Sequence, residues 1–215
     1  RVGIAYTRGR AIMPRLIPAF QRQYPNVEIM LRECSNDTIQ KALLSGGIDL
    51  AIAAYPKAPP SIELADYYTE HTVLCLVDSL LVQCQIDLDV RRNEIAAGDL
   101  HSLRDCPFVL GSAADIGGRI GRELLRASGI SPISKATSEN VETLLALCVQ
   151  GVGACFCPEN LLQTALSPEQ LAQLHILPLC PSASYPICFG YLRRSYPWSV
   201  LSEFIRIARE QIRSA

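Results

Sequence analysis

Val2-Gly3-Ile4-Ala5-Tyr6 is a short apolar run suited to a central strand, and the residues behind it change period. Ile12, Leu16, Ile17 and Phe20 recur at helical spacing as far as Tyr24-Pro25-Asn26, so the chain reads strand, then helix. Val27, Ile29 and Leu31 then alternate with Glu28, Met30 and Arg32, the period of two of a half-buried strand. Ser35, Asn36 and Asp37 are capping residue types ahead of Ile39, Leu43 and Leu44. Gly46-Gly47 closes that second helix before the apolar strand Leu50-Ala51-Ile52-Ala53. The first fifty residues are therefore βαβαβ, and such crossovers imply a mostly parallel sheet.

Outward from this core, Tyr55-Pro56-Lys57-Ala58-Pro59-Pro60 is too rich in proline for either element and reads as a surface loop at a boundary. Thr72 to Val77 is a β-branched and apolar strand, whereas Asp78 to Arg104 has mixed polarity and no clear period. Pro107-Phe108-Val109-Leu110-Gly111 restarts the α/β pattern. It is followed by the small-residue loop Ser112-Ala113-Ala114, a helix with Ile120, Leu124 and Leu125 inward, and Gly129 as its stop. Lys135 to Ser138 is a short strand. Val141, Leu144, Leu145 and Cys148 mark a helix ending at Gly151-Val152-Gly153, and Ala154 to Cys157 is another buried strand. Ser167-Pro168-Glu169-Gln170 has the order of a capping box with proline in the first turn. Strands near Leu174–Leu179 and Ile187–Leu192 precede a last amphipathic helix with Leu201, Phe204, Ile205, Ala208 and Ile212 on one face.

The 215 residues are 49% apolar and 19% charged, which excludes a disordered tail or a coiled coil. A net charge of −1 and a pI near 6.4 lack the basic footprint of a nucleic-acid-binding surface, so any DNA contact must come from elsewhere. No apolar run reaches the roughly 18 residues of a membrane span, and no secretory signal leads the chain, so a cytoplasmic location is expected. The nine cysteines are odd in number and scattered through apolar segments, which reads as reduced core thiols rather than a disulfide framework. Arg1 is not an initiator methionine and a strand begins at once, so further chain is expected upstream.

Several of these short motifs fall in the order and spacing of a known family. Val2-Gly3-Ile4-Ala5, Thr7, Pro14, Leu16, Tyr24-Pro25-Asn26-Val27 and Gly47-Ile48-Asp49-Leu50-Ala51-Ile52 resemble the opening of the effector-binding domain of LysR-type transcription regulators. Leu144-Leu145-Ala146-Leu147, Gly151-Val152-Gly153 and Pro158 resemble the same family's helix, turn and strand in its second half. Asp78-Ser79-Leu80-Leu81 departs from it, since the family often shows a His-Pro-Leu run there. The resemblance implies an α/β fold of two Rossmann-like lobes with a central cleft, similar to type 2 periplasmic binding proteins. Lobe I would hold residues 1–76 and 180–215, and lobe II residues 77–179. The family's winged helix-turn-helix is absent from these residues. The resemblance further implies a homodimer, a tetrameric parent that contacts DNA through the missing domain, and no membrane partner, cofactor or catalysis.

Ligands of open parallel sheets bind beyond the C-terminal ends of strands, where loops lead into helix N-termini. Thr7 stands at such a point, and a helix N-terminus suits an anion. Arg8 and Arg10 strengthen that reading, because a cation near that end costs roughly 0.3–1 kcal/mol unless an anion or acidic side chain compensates. Ser35, Asn36, Gly111, Ser112 and Ser138 precede other helices and can donate hydroxyl, amide or backbone N–H groups, although plain helix capping is the favoured reading of any single one. The family pattern places ligand contacts at positions matching Thr7, Asn36 and Ser138. Ala54, Ile116 and Phe156 are candidate apolar walls, with core packing the competing role for Phe156.

Other chemistries are poorly served. Gly151-Val152-Gly153 begins like a dinucleotide fingerprint, but Phe156 fills the third glycine position and the motif follows a helix. No Gly-x-Ser-x-Gly elbow, phosphate loop or paired-histidine zinc helix occurs. Cys155 and Cys157 share a strand face, yet no Cys-x-x-Cys accompanies them, so packed thiols are the simpler reading than a metal or redox pair. The expected function is a sensor of a small anionic effector that controls transcription. The alternative is a solute-binding protein serving a transporter, and a lyase or transferase on the same lobes stands behind both.

Overall fold

The opening apolar run forms β1 (Val2–Ile4), buried along its whole length. Helix α1 (Tyr6–Gln21) leads to β2 (Leu31–Glu33), and α2 (Asn36–Leu44) leads on to β3 (Leu50–Ala53). As helical crossovers require, β1 is parallel to both neighbours, with Val2 opposite Leu31 and Leu50, and Ile4 opposite Glu33 and Ile52. In this computed structural model, which describes residues 1–113, 115–193 and 198–213, the chain divides into two compact units. The first is Arg1–Thr69 with Pro186–Ala215 and the second is Glu70–Tyr185. The chain passes between them inside two strands, at 69/70 in β4 (Ile62–Val77) and at 185/186 in β9 (Ser184–Leu192). The expected boundaries, 76/77 and 179/180, lay at strand ends, where sequence carries turn signals. A strand running straight through a boundary carries none.

In the first unit β9 is antiparallel to β3, with Ala51 opposite Gly190 and Ala53 opposite Cys188, and the strand order is β2-β1-β3-β9-β4. All three β2 residues are exposed because β2 is the edge strand. It starts at Leu31, so the alternation from Val27 marks an extended approach rather than the strand itself. Ile4, Leu16, Phe20 and Ile52 are buried, and Ile39 and Leu43 pack in a cluster with Ile48, Ala51 and Ala53. Helix α9 (Ser199–Arg213) lies on α1, where Phe204 meets Phe20 edge to face at 5.2 Å between ring centres. Its buried face includes Phe204, Ile205, Ile207 and Ala208, whereas Ile212, expected inward, is exposed. The half of β4 before residue 70 was not foreseen, because Glu63, Asp66 and Thr69 interrupt its apolar residues.

In the second unit β5 (Pro107–Gly111) and β6 (Ile133–Ser138) are parallel, joined by α5 (Ile116–Ala127), with Gly111 opposite Ser138. Gly129 ends α5 at φ +70°, a left-handed turn that glycine adopts without a β-carbon penalty. Helix α6 (Val141–Val149) leads to β7 (Cys155–Pro158). The latter half of β4 runs antiparallel to β7 and to β8 (Leu174–Pro178), with Cys75 opposite both Cys155 and Ile176. Between β7 and β8 come α7 (Glu159–Ala165) and α8 (Pro168–Leu171), the latter opened by the expected capping box of Ser167 and Gln170. The stretch without a readable period folds as α3 (Asp78–Gln83), α4 (Leu88–Ala96) and a single 3-10 turn at His101–Leu103. It packs Leu80, Leu88, Ile95, Leu100 and Leu103 into a core with Phe108 and Phe156. No helix among the described residues is long and apolar enough to cross a membrane.

Candidate functional site

Because β1, β2 and β3 are mutually parallel, their C-terminal ends share one edge of the first unit. This brings together the turns carrying Thr7, Ser35-Asn36 and Ala54. Thr7 is the second residue of α1, a helix whose N-cap is Ala5, with no side-chain cap and no acidic residue in its first turn. Gly9 N–H already donates to Ala5 carbonyl at 2.7 Å, which leaves the earlier amides of that turn without an intrahelical acceptor. Arg8 is only 4% exposed, and its Nη1 donates to the carbonyl of Ile52 at the end of β3, 3.4 Å away. A buried guanidinium and an uncapped helix end thus place positive potential at one point. The Glu33 carboxylate of β2 lies beside this turn, since a β-carbon at Gly9 would come within 2.5 Å of its Oε1. Arg10 is exposed.

Ser35 caps α2, accepting from Thr38 N–H at 3.4 Å while its hydroxyl meets that of Thr38 at 3.0 Å, so helix capping accounts for it. Asn36 differs. Its Oδ1 is buried and has no hydrogen-bond partner among the described residues, a costly state unless a donor arrives from outside the chain.

The second unit repeats the device at the ends of β5 and β6, where the paired Gly111 and Ser138 stand beside Ser112. The caps here are residues the sequence reading passed over. Asp115 accepts from Gly118 N–H at 2.9 Å to start α5, and Asn140 accepts from Glu142 N–H at 2.9 Å to start α6. Ser138 supports the turn by accepting from Asn140 N–H at 3.0 Å. Arg122 was also missed. Its Nη2 donates to Gly111 carbonyl at 2.9 Å, which brings a guanidinium to this strand end. The signal was available, since Arg122 lies four residues after Gly118 and so on the helix face that touches β5. Ala114 of the expected loop lies outside the described residues.

Phe156 does not join these turns as an apolar wall. It is buried, stacks parallel to Phe108 with centroids 6.0 Å apart and covers Gly121, so its role is packing within the second unit. Ile116, at the first position of α5, is buried beside Gly117 and Gly118. All nine cysteines are free, and among the described residues no group of three or more His, Cys, Asp or Glu side chains is arranged to hold a metal ion. A polar recess of about 600 Å³ in the second unit is lined by Asp87, Arg91, Glu94, Asp99, His101 and Arg104, none of them a strand-end residue. Arg91 and Glu94 are paired there at 2.9 Å.

The uncharacterized HTH-type transcriptional regulator YybE of Bacillus subtilis is 24% identical over 158 residues, covering 74% of this chain and 51% of that protein. The chain therefore spans about half the length of the curated relatives it matches. Among solved structures, the BenM effector binding domain with its effector benzoate superposes with a TM-score of 0.76 at 19% identity, covering 100% of this chain and 91% of that one. The effector binding domain of QuiR in complex with shikimate superposes with a TM-score of 0.73 at 17% identity, covering 99% and 96%. These likenesses identify the α/β fold as that of LysR effector-binding domains, the type 2 periplasmic-binding-like fold. The family described as LysR substrate binding domain matches residues 1–213, and the chain belongs to it.

Proposed function

We propose that this chain is the effector-sensing part of a transcription regulator, works without catalysis, and takes a small anionic metabolite at the first unit's turns carrying Thr7 and Asn36. The observation that carries the reading is the N-terminus of α1, which has no side-chain cap and no first-turn acid. The amides of an uncapped first turn favour a carboxylate or phosphate over a neutral ligand. The molecules named with the BenM and QuiR domains, benzoate and shikimate, are both carboxylates, which supports the class without naming the molecule. A DNA-binding segment elsewhere in the parent protein would read the bound state, with the cytoplasm as the site of action and a homodimer as the working unit. The regulator named among the relatives favours this reading over a transporter's solute-binding protein.

A thermal-shift screen of carboxylates and phosphates, benzoate and shikimate among them, tests it. A ligand at about 100 times its dissociation constant stabilises the fold by about 2.7 kcal/mol. Thr7→Ala removes that shift and leaves the ligand-free midpoint unchanged, because Thr7 caps nothing in α1. A hit that stabilises the variant as strongly as the wild type would take Thr7 out of the site. Light scattering that finds only monomer at high concentration would count against the homodimer.

A further inference from the structure

Four of the nine cysteines meet inside one core of the second unit. Cys75 lies on β4, Cys155 and Cys157 lie on β7, and Cys148 lies on α6, all fully buried among Leu144, Leu145, Leu161 and Leu162. Cys75 stands opposite Cys155, and Cys157, two residues further along β7, points to the same face. The sulfurs of Cys75 and Cys157 are 3.7 Å apart, in van der Waals contact, and Cys148 Sγ donates to the Cys75 carbonyl at 3.3 Å. Shape alone would be met by alanine or valine, whereas four adjoining thiols give this core a chemistry the effector reading leaves unused.

We propose that Cys75 and Cys157 are a redox pair, which a small neutral hydroperoxide converts to a disulfide joining β4 to β7. In the first step the Cys75 sulfur attacks the terminal oxygen of the hydroperoxide. The O–O bond breaks, the departing alkoxide takes the Cys75 proton, and Cys75 is left as a sulfenic acid. In the second step the Cys157 sulfur attacks the Cys75 sulfur, the S–O bond breaks, and the hydroxide leaves as water with the Cys157 proton. Two thiols lose two electrons, and the hydroperoxide is reduced to one alcohol and one water. Cys75 is the attacking member because hydrogen bonds from Cys155 and Cys157 hold its thiol below the usual range, while the bond to Cys148, those to the other thiols and burial push Cys155 above it. Burial screens the pair from bulky reagents and leaves it open to a molecule little larger than water during local opening of α6.

The inference is independent of any effector and is tested on the whole chain. The folded protein is treated with hydrogen peroxide, quenched in acid, alkylated in denaturant and mapped by tandem mass spectrometry. The expected product is a dithiothreitol-reversible link between Cys75 and Cys157, while iodoacetamide applied to the untreated fold labels Cys34, Cys84 and Cys180 and spares the four core thiols. Cys157→Ser loses the link and Cys155→Ser keeps it. Recovery of Cys75 and Cys157 as free thiols after Cys34, Cys84 and Cys180 have been oxidised would overturn the proposal. So would a link from Cys75 to another cysteine. The wild-type map decides even where a serine variant fails to fold.

Discussion

A methyl group added to helix α5 should have unequal consequences at two adjacent glycines. At Gly118 a β-carbon would stand 2.4 Å from the Ser112 carbonyl oxygen and 2.9 and 3.1 Å from the Gly111 carbonyl carbon and α-carbon. All three are backbone atoms of the strand end and its turn, and none can rotate away. At Gly117 the only near atom among the described residues is Asp115 Oδ2 at 3.2 Å, the end of a side chain that can yield by a few tenths of an ångström. Overpacking costs about 1–3 kcal/mol, and the immovable contacts put Gly118→Ala at the upper end. The helix preference of alanine returns about 0.8–1 kcal/mol. Gly118→Ala should therefore lose about 2 kcal/mol, and Gly117→Ala should stay within about 0.5 kcal/mol of wild type. Urea unfolding followed by circular dichroism measures both. Equal midpoints for the two variants would refute the close approach of α5 to β5 and, with it, the placing of Ser112 and Arg122 at that strand end.

Other substitutions probe single features. Ser167→Ala removes the half of a capping box in which Ser167 Oγ accepts from Gln170 N–H at 3.3 Å, and should cost about 1 kcal/mol in urea unfolding. Tyr55→Phe should be neutral or stabilising by up to about 1 kcal/mol, because the Tyr55 hydroxyl is buried with no partner among the described residues; a clear loss would reveal one. Asp49 is held below the usual carboxylate range chiefly by the hydrogen bond from Arg1, whose Nη2 lies 2.9 Å from Oδ1. Its folded value is depressed, so its contribution is present above the unfolded value of about 3.9 and is lost as pH falls through the folded one. The difference in unfolding free energy between wild type and Asp49→Asn should accordingly shrink on acidification through that window. A gap that stays constant would mean the ion pair contributes nothing.

Much of the frame was legible because its determinants are local. The βαβαβ order follows from the change of period between Val2 and Ala53, and Ser167-Pro168-Glu169-Gln170 displays its cap in four letters. The misses share a cause in tertiary context. Strand β2 is defined by its register with β1 rather than by buried residues, and the early half of β4 alternates too weakly to stand out. Helices α3 and α4 are short, and only six residues, from Asp78 to Gln83, form the first of them, too few for a helical period to emerge. At the candidate site the strand-end turns followed from topology, while the separate behaviour of Ser35 and Asn36 did not. One oxygen is satisfied by Thr38 and the other is left buried, a distinction that depends on side-chain direction. Phe156 shows the converse error, since apolar character next to a glycine-rich turn does not say whether a ring lines a site or fills a core.

Titration of the isotope-labelled protein with the strongest anion from the thermal-shift screen, followed by backbone amide resonances, tests the central claim most directly. The account predicts the largest shifts at the amides of Thr7, Arg8 and Asn36. Shifts confined to other surfaces, such as the recess around Asp87 and His101, would contradict it.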